Sequence, residues 1–62
     1  MKMNWADRVK ELRMKLDLTQ EEFAPLLRIT LRQVVRIEKG ETLRPNKATR
    51  DNIERLERKV RR

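Results

Sequence analysis

The 62-residue chain contains no cysteine, histidine, serine or tyrosine, and only one glycine and two prolines. Without cysteine no disulfide can form, and without cysteine or histidine the usual zinc sites are excluded. The same absences remove the nucleophiles and bases on which most hydrolytic sites depend. There is no glycine-rich phosphate loop and no Asp/Glu cluster at metal-ligand spacing, so neither an enzyme nor a cofactor or metal is expected. No apolar run approaches the ~20 residues of a membrane span. The opening Met1-Lys2-Met3-Asn4-Trp5 lacks the apolar stretch of a signal peptide, which together with the missing cysteine leads us to expect a cytoplasmic protein. Trp5 and Phe23 are the only aromatics. A chain of this size buries a small, aliphatic core and makes one domain at most, taken as residues 1–62.

What the chain has in excess is positive charge. Seventeen Lys and Arg face ten Asp and Glu, a net charge of +7. Residues 1–43 hold nine basic and seven acidic residues (+2), whereas residues 44–62 hold eight and three (+5). Such an excess on so small a body points to a polyanionic partner: DNA, RNA or an anionic membrane. The plainer reading is a soluble protein with a basic tail.

The apolar residues recur at helical spacing. Trp5, Val9, Leu12 and Leu16 are separated by 4, 3 and 4 positions, and Thr49, Ile53, Leu56 and Val60 repeat that series. The first stripe predicts a helix from Trp5 to Lys15 or Leu16, capped by Asn4 with Asp7 in its first turn. The second predicts a basic helix over about 46–60, capped by Asn46, whose last residues, ending Arg61-Arg62, fray. Nothing alternates as a half-buried strand would, so the fold class is all-α.

Between these helices lie two helix-start signals eleven residues apart, Thr19-Gln20-Glu21-Glu22 and Thr30-Leu31-Arg32-Gln33. In each, a Thr can accept from an exposed amide while a Glu or Gln three residues on reaches back to the cap. The second helix closes on Ile37-Glu38-Lys39-Gly40, where the single glycine supplies a left-handed cap. Two capped helices so close together leave only a tight turn at Arg28-Ile29, which is the layout of a helix-turn-helix over residues 19–40. Phe23, Ala24 and Leu27 point inward from the first of the pair. Pro25 sits inside it, so either that helix bends or its first turn is tightened.

At 100° per residue, Val34 and Ile37 face the core and Arg32 and Arg36 face nearly the opposite way. Each of these arginines can give a bidentate pair to guanine O6 and N7 in a major groove. Leu31 and Val35 flank them. They either pack on thymine methyl groups, or close the core over Phe23 or Leu27, or form a protein-binding patch. Gln20, beside the free amides of its helix N-terminus, is placed to bind a phosphate and brace the recognition side chains, or else is a solvent-exposed helix starter. Lys39 and Lys47 are phosphate candidates or ordinary solvated lysines. Arg13 and Glu38 can meet across the core as a structural ion pair, with Glu38 as scaffold rather than a catalytic carboxylate.

Leu18-Thr19-Gln20-Glu21-Glu22-Phe23-Ala24, Thr30 and Ile37-Glu38-Lys39-Gly40 together resemble the lambda-repressor-like, or XRE-type, helix-turn-helix domains of phage repressors, Cro proteins and small bacterial regulators. The likeness extends from Val9 to Pro45. It implies a bundle of four or five helices whose third helix reads double-stranded DNA, with contacts at Gln20, Thr30, Leu31, Arg32, Gln33 and Arg36. Lys39 and the 42–47 loop then lie near phosphates, and Arg13 and Glu38 match the family's ion pair between helices 1 and 3. It also implies homodimers on palindromic operators. The chain departs from the family at Arg28, which stands where the turn usually has Gly and whose guanidinium can reach a phosphate. It departs as well at Pro25, at the apolar Leu31 and Val35, and in the charge of its last helix.

The first expectation is therefore a sequence-specific transcriptional repressor, with the recognition helix over 31–38. The second is an antitoxin-type interaction module that binds a toxin or other protein as well as DNA. A membrane-surface role for the basic last helix is disfavoured by its thin apolar stripe.

Overall fold

The computed structural model describes residues 4–42 and 44–60, and among these it is all-helical: α1 (Trp5–Lys15), α2 (Gln20–Leu27), α3 (Leu31–Glu38) and α4 (Lys47–Val60). Leu43 of the 42–47 loop, the opening residues 1–3 and the Arg61-Arg62 end lie outside the described residues. Every helix starts at a side chain that takes one of its free first-turn amides. Asn4 Oδ1 accepts from Asp7 N and Asn46 Oδ1 from Thr49 N, both at 2.9 Å. The two threonines form full capping boxes. Glu22 N donates to Thr19 Oγ1 at 3.1 Å while Thr19 N donates to Glu22 Oε1 at 2.9 Å. Gln33 N donates to Thr30 Oγ1 at 3.2 Å while Thr30 N donates to Gln33 Oε1 at 2.9 Å. Each cap contributes about 1 kcal/mol, a large share for a chain this short.

The first three helices end by one device. A left-handed residue follows the last turn, its N–H returns to the carbonyl three residues back, and the next N–H returns to the carbonyl five back. After α1 the left-handed residue is Asp17 (φ 57°), after α2 Arg28 (φ 58°) and after α3 Gly40 (φ 80°). The bonds are Asp17 N to Met14 O and Leu18 N to Arg13 O, Arg28 N to Pro25 O and Ile29 N to Ala24 O, and Gly40 N to Ile37 O and Glu41 N to Arg36 O, all 3.0–3.2 Å. Arg28 thus keeps the left-handed turn without the glycine that would hold it at no steric cost. A left-handed L-residue costs roughly 1–2 kcal/mol, partly offset by the extra entropy glycine carries when unfolded. Arg28→Gly is expected to stabilise the fold by about 0.5–1 kcal/mol, read as a rise of about 2–8 °C in thermal midpoint. An unchanged midpoint would show that the Arg28 side chain offsets its backbone cost.

Pro25 does not tighten the first turn of α2, which is α-helical from Gln20 to Leu27. The N–H that proline lacks would have bonded the Glu21 carbonyl. Both residues are exposed, so water can serve that oxygen.

The core is built from Val9 and Leu12 of α1, Phe23, Ala24 and Leu27 of α2, Val34 and Ile37 of α3, and Ile53 of α4. Trp5, Leu16, Leu18, Ile29, Leu56 and Val60 pack around it. α3 lies against α1 and α2, and α4 packs against the same two helices, so α1 and α2 form the frame that carries α3. Two contacts fix α4 to that frame. Arg8 donates to Glu57 at 2.7 and 3.1 Å and stacks its guanidinium 4.0 Å over the Trp5 ring, and its pKa is raised chiefly by the hydrogen bonds to Glu57. Asn52 Nδ2 donates to the Leu27 carbonyl at 3.1 Å, holding the end of α2 immediately before the turn.

Candidate nucleic-acid interface

Burial divides α3 in two. Val34 and Ile37 are buried, whereas Arg32, Gln33, Arg36 and the following Lys39 are exposed. At 100° per residue Arg32, Arg36 and Lys39 fall within one narrow sector of the outward face, giving three cations with no acidic residue of α3 between them. The first turn of α3 contains no acidic residue, unlike those of α1 (Asp7) and α2 (Glu21, Glu22), so the positive end of its dipole is left uncompensated. Within its capping box the amides of Leu31 and Arg32 have no partner inside the helix. Thr30 Oγ1 and the Gln33 oxygen both accept within the cap, and the Gln33 Nε2 amide takes no part in it.

Leu31 is 43% exposed, so it does not close the core over Phe23 or Leu27, and Val35 is half-buried at the edge of the same face. Together they form an apolar border along the basic sector.

Beneath that face lies the ion pair expected from sequence. Arg13 Nε donates to Glu38 Oε2 at 2.8 Å and Nη2 to Glu38 Oε1 at 3.1 Å, with side chains 18% and 4% exposed. Arg13 Nη1 also donates to the Leu18 carbonyl at 2.9 Å, and the bonds to Glu38 raise the Arg13 pKa. Gln20 joins the cluster: its Nε2 donates to Glu38 Oε1 at 3.1 Å. Gln20 is therefore not a free helix starter. It ties the first residue of α2 to the last residue of α3, with one amide hydrogen remaining.

Two further expected contacts, Arg28 and Lys47, lie outside α3 and its caps. Arg28 projects from the exposed turn and, with Asn46 and Arg55, lines a shallow hollow between that turn and α4. Lys47 opens α4 and sits 3.6 Å from Asp51, a solvated pair one turn apart. Sequence reasoning missed Glu41, whose Oε1 lies 3.9 Å from Arg36 Nε. The signal was available, because the bonding at a glycine-ended helix sets the residue after the glycine against the one five positions earlier. It also missed Asn52 and the Arg8–Glu57 pair, which spacing along the chain does not announce.

The fold and this face define a class of protein, the small helical DNA-binding domains. The family model for helix-turn-helix domains matches residues 9–59, most of the chain including the whole 19–40 motif, and the chain belongs to that family, of the XRE, lambda-repressor-like type. Its members are DNA-binding regulators, which fits a basic recognition face. No match is found among curated proteins or among solved structures. Among the described residues, no helix is long and apolar enough to cross a membrane.

Proposed function

We propose that the protein is a sequence-specific repressor that binds a palindromic operator as a homodimer, laying α3 in the major groove. The observation that carries this reading is the outward face of α3, where Arg32 and Arg36 stand exposed one turn apart above a rigid Arg13–Glu38–Gln20 cluster. In this reading the two arginines take guanine edges and Leu31 and Val35 take thymine methyl groups. Thr30, Gln33, Gln20 and the α3 amides meet the flanking backbone, and Arg28, Lys39 and Lys47 neutralise phosphates. A dimer in this reading sets its two recognition helices in successive major grooves on one face of the duplex. Those grooves are ~34 Å apart, which is the half-site spacing the reading requires. Occupancy of an operator by such a dimer is enough to block transcription, which makes repression the simplest output.

The test is duplex binding as a function of salt. Three phosphate-neutralising side chains per subunit give six per dimer, and a log–log slope of roughly −5 at ~0.9 per phosphate. A slope near zero, or equal affinity for single strands, would contradict the reading. The antitoxin alternative draws on one observation, the exposure of Leu31 beside Val35, an apolar border equally suited to a partner protein. It predicts co-purification with a protein encoded next to it, and retention of that complex in Arg36→Ala.

A further inference from the structure

The most informative unassigned residue is Glu41, which sits against the centre of the basic face. Its position is fixed by backbone geometry. Gly40 turns the chain at φ 80°, Gly40 N bonds the Ile37 carbonyl and Glu41 N bonds the Arg36 carbonyl, both at 3.0 Å. This motif brings the residue after the glycine onto the residue five before it, a contact usually made between apolar side chains. After α2 the corresponding residues are Ile29 and Ala24, which follow that habit. After α3 they are Glu41 and Arg36, with Glu41 Oε1 3.9 Å from Arg36 Nε and both side chains more than half exposed.

We infer that Glu41 is a specificity-determining residue: it holds Arg36 to the guanine edge and away from phosphate. The inference rests on the DNA-binding reading above. A guanidinium has one edge bearing Nε and a far end bearing two terminal nitrogens. A carboxylate on the Nε side leaves the terminal pair uncommitted, and that pair matches guanine O6 and N7. The same carboxylate repels phosphate and competes with it for Arg36 on DNA that offers no guanine at that position. It therefore lowers affinity for random sequence while costing little on the operator. Charged pairs at exposed sites are weak singly, but a dimer carries two copies of this one.

The experiment compares wild type, Glu41→Gln, Arg36→Ala and the double variant. Each is titrated with the duplex recovered by selection from a random pool and with a random-sequence duplex of equal length. Glu41→Gln is expected to raise affinity for the random duplex roughly two- to tenfold, change operator affinity less, and so lower the ratio between them. The penalty for replacing the guanine read by Arg36 is expected to shrink with it. In the Arg36→Ala background, Glu41→Gln is expected to act equally on both duplexes. An unchanged ratio in Glu41→Gln, or the same fall in ratio without Arg36, would overturn the inference while leaving DNA binding intact. Failure of the wild type to bind either duplex would instead overturn the DNA reading, and the role of Glu41 with it.

Discussion

Replacing Glu38 by alanine is expected to cost about 3–5 kcal/mol of folding stability. Glu38 receives Arg13 Nε, Arg13 Nη2 and Gln20 Nε2, and its side chain is only 4% exposed. Its removal leaves the Arg13 guanidinium largely buried with no counter-charge, and that desolvation outweighs the lost contacts themselves. A domain of this length has a total stability of about 3–9 kcal/mol, so the loss removes about a third of it or more. Denaturant titration followed by helical circular dichroism measures the loss directly. Glu38→Gln keeps the shape and an acceptor but not the charge, and should fall between the variant and the wild type. A loss under about 1 kcal/mol for Glu38→Ala would mean that water reaches Arg13 freely and that the cluster does not set the pose of α3.

Arg36→Ala carries the second large effect, on binding rather than on folding. Arg36 is exposed on α3, and its only ion-pair partner among the described residues is the solvated Glu41, 3.9 Å away. The substitution should therefore leave the thermal midpoint nearly unchanged. A bidentate pair with guanine contributes about 1–3 kcal/mol of discrimination, so operator affinity should fall by that much per half-site. Affinity for random DNA should fall far less, as a single charge is lost from a sequence-independent term. Competition binding at fixed salt separates the two. Equal losses on both duplexes would place Arg36 on phosphate and shift base reading to Arg32.

The two variants act on different sides of one helix, and those sides were unequally legible in the sequence. The capped starts at Asn4, Thr19, Thr30 and Asn46, the stop at Gly40, and the division of α3 into a Val34–Ile37 side and an arginine side follow from local chemistry. Caps and periodicity operate within one or two turns, so the chain displays them directly. Arg13 and Glu38 are 25 positions apart. Their meeting was legible because each lies at the end of a helix whose core face was already assigned. Gln20 was read as a phosphate ligand or a free starter, and its bond to Glu38 depends on the angle between α2 and α3, which no local signal encodes. Asn52 holding the Leu27 carbonyl, and Arg8 lodged between Trp5 and Glu57, likewise require the packing of α4. Pro25 does not tighten the first turn of α2, and its cost depends on whether the freed carbonyl is wet; both Pro25 and Glu21 are exposed. Leu31 could be core or surface from sequence alone, because it sits at the boundary of the helical stripe, and burial decides for the surface.

The central claim is that α3 of a symmetric pair reads specific bases. Selection of bound duplexes from a random DNA pool at about physiological salt tests it most directly. The predicted result is enrichment of a palindrome whose half-sites are centred about one helical turn apart, with guanines at the positions lost from the consensus when Arg32 or Arg36 is replaced. A pool that stays random after repeated rounds, or a consensus unchanged in both arginine variants, would contradict it.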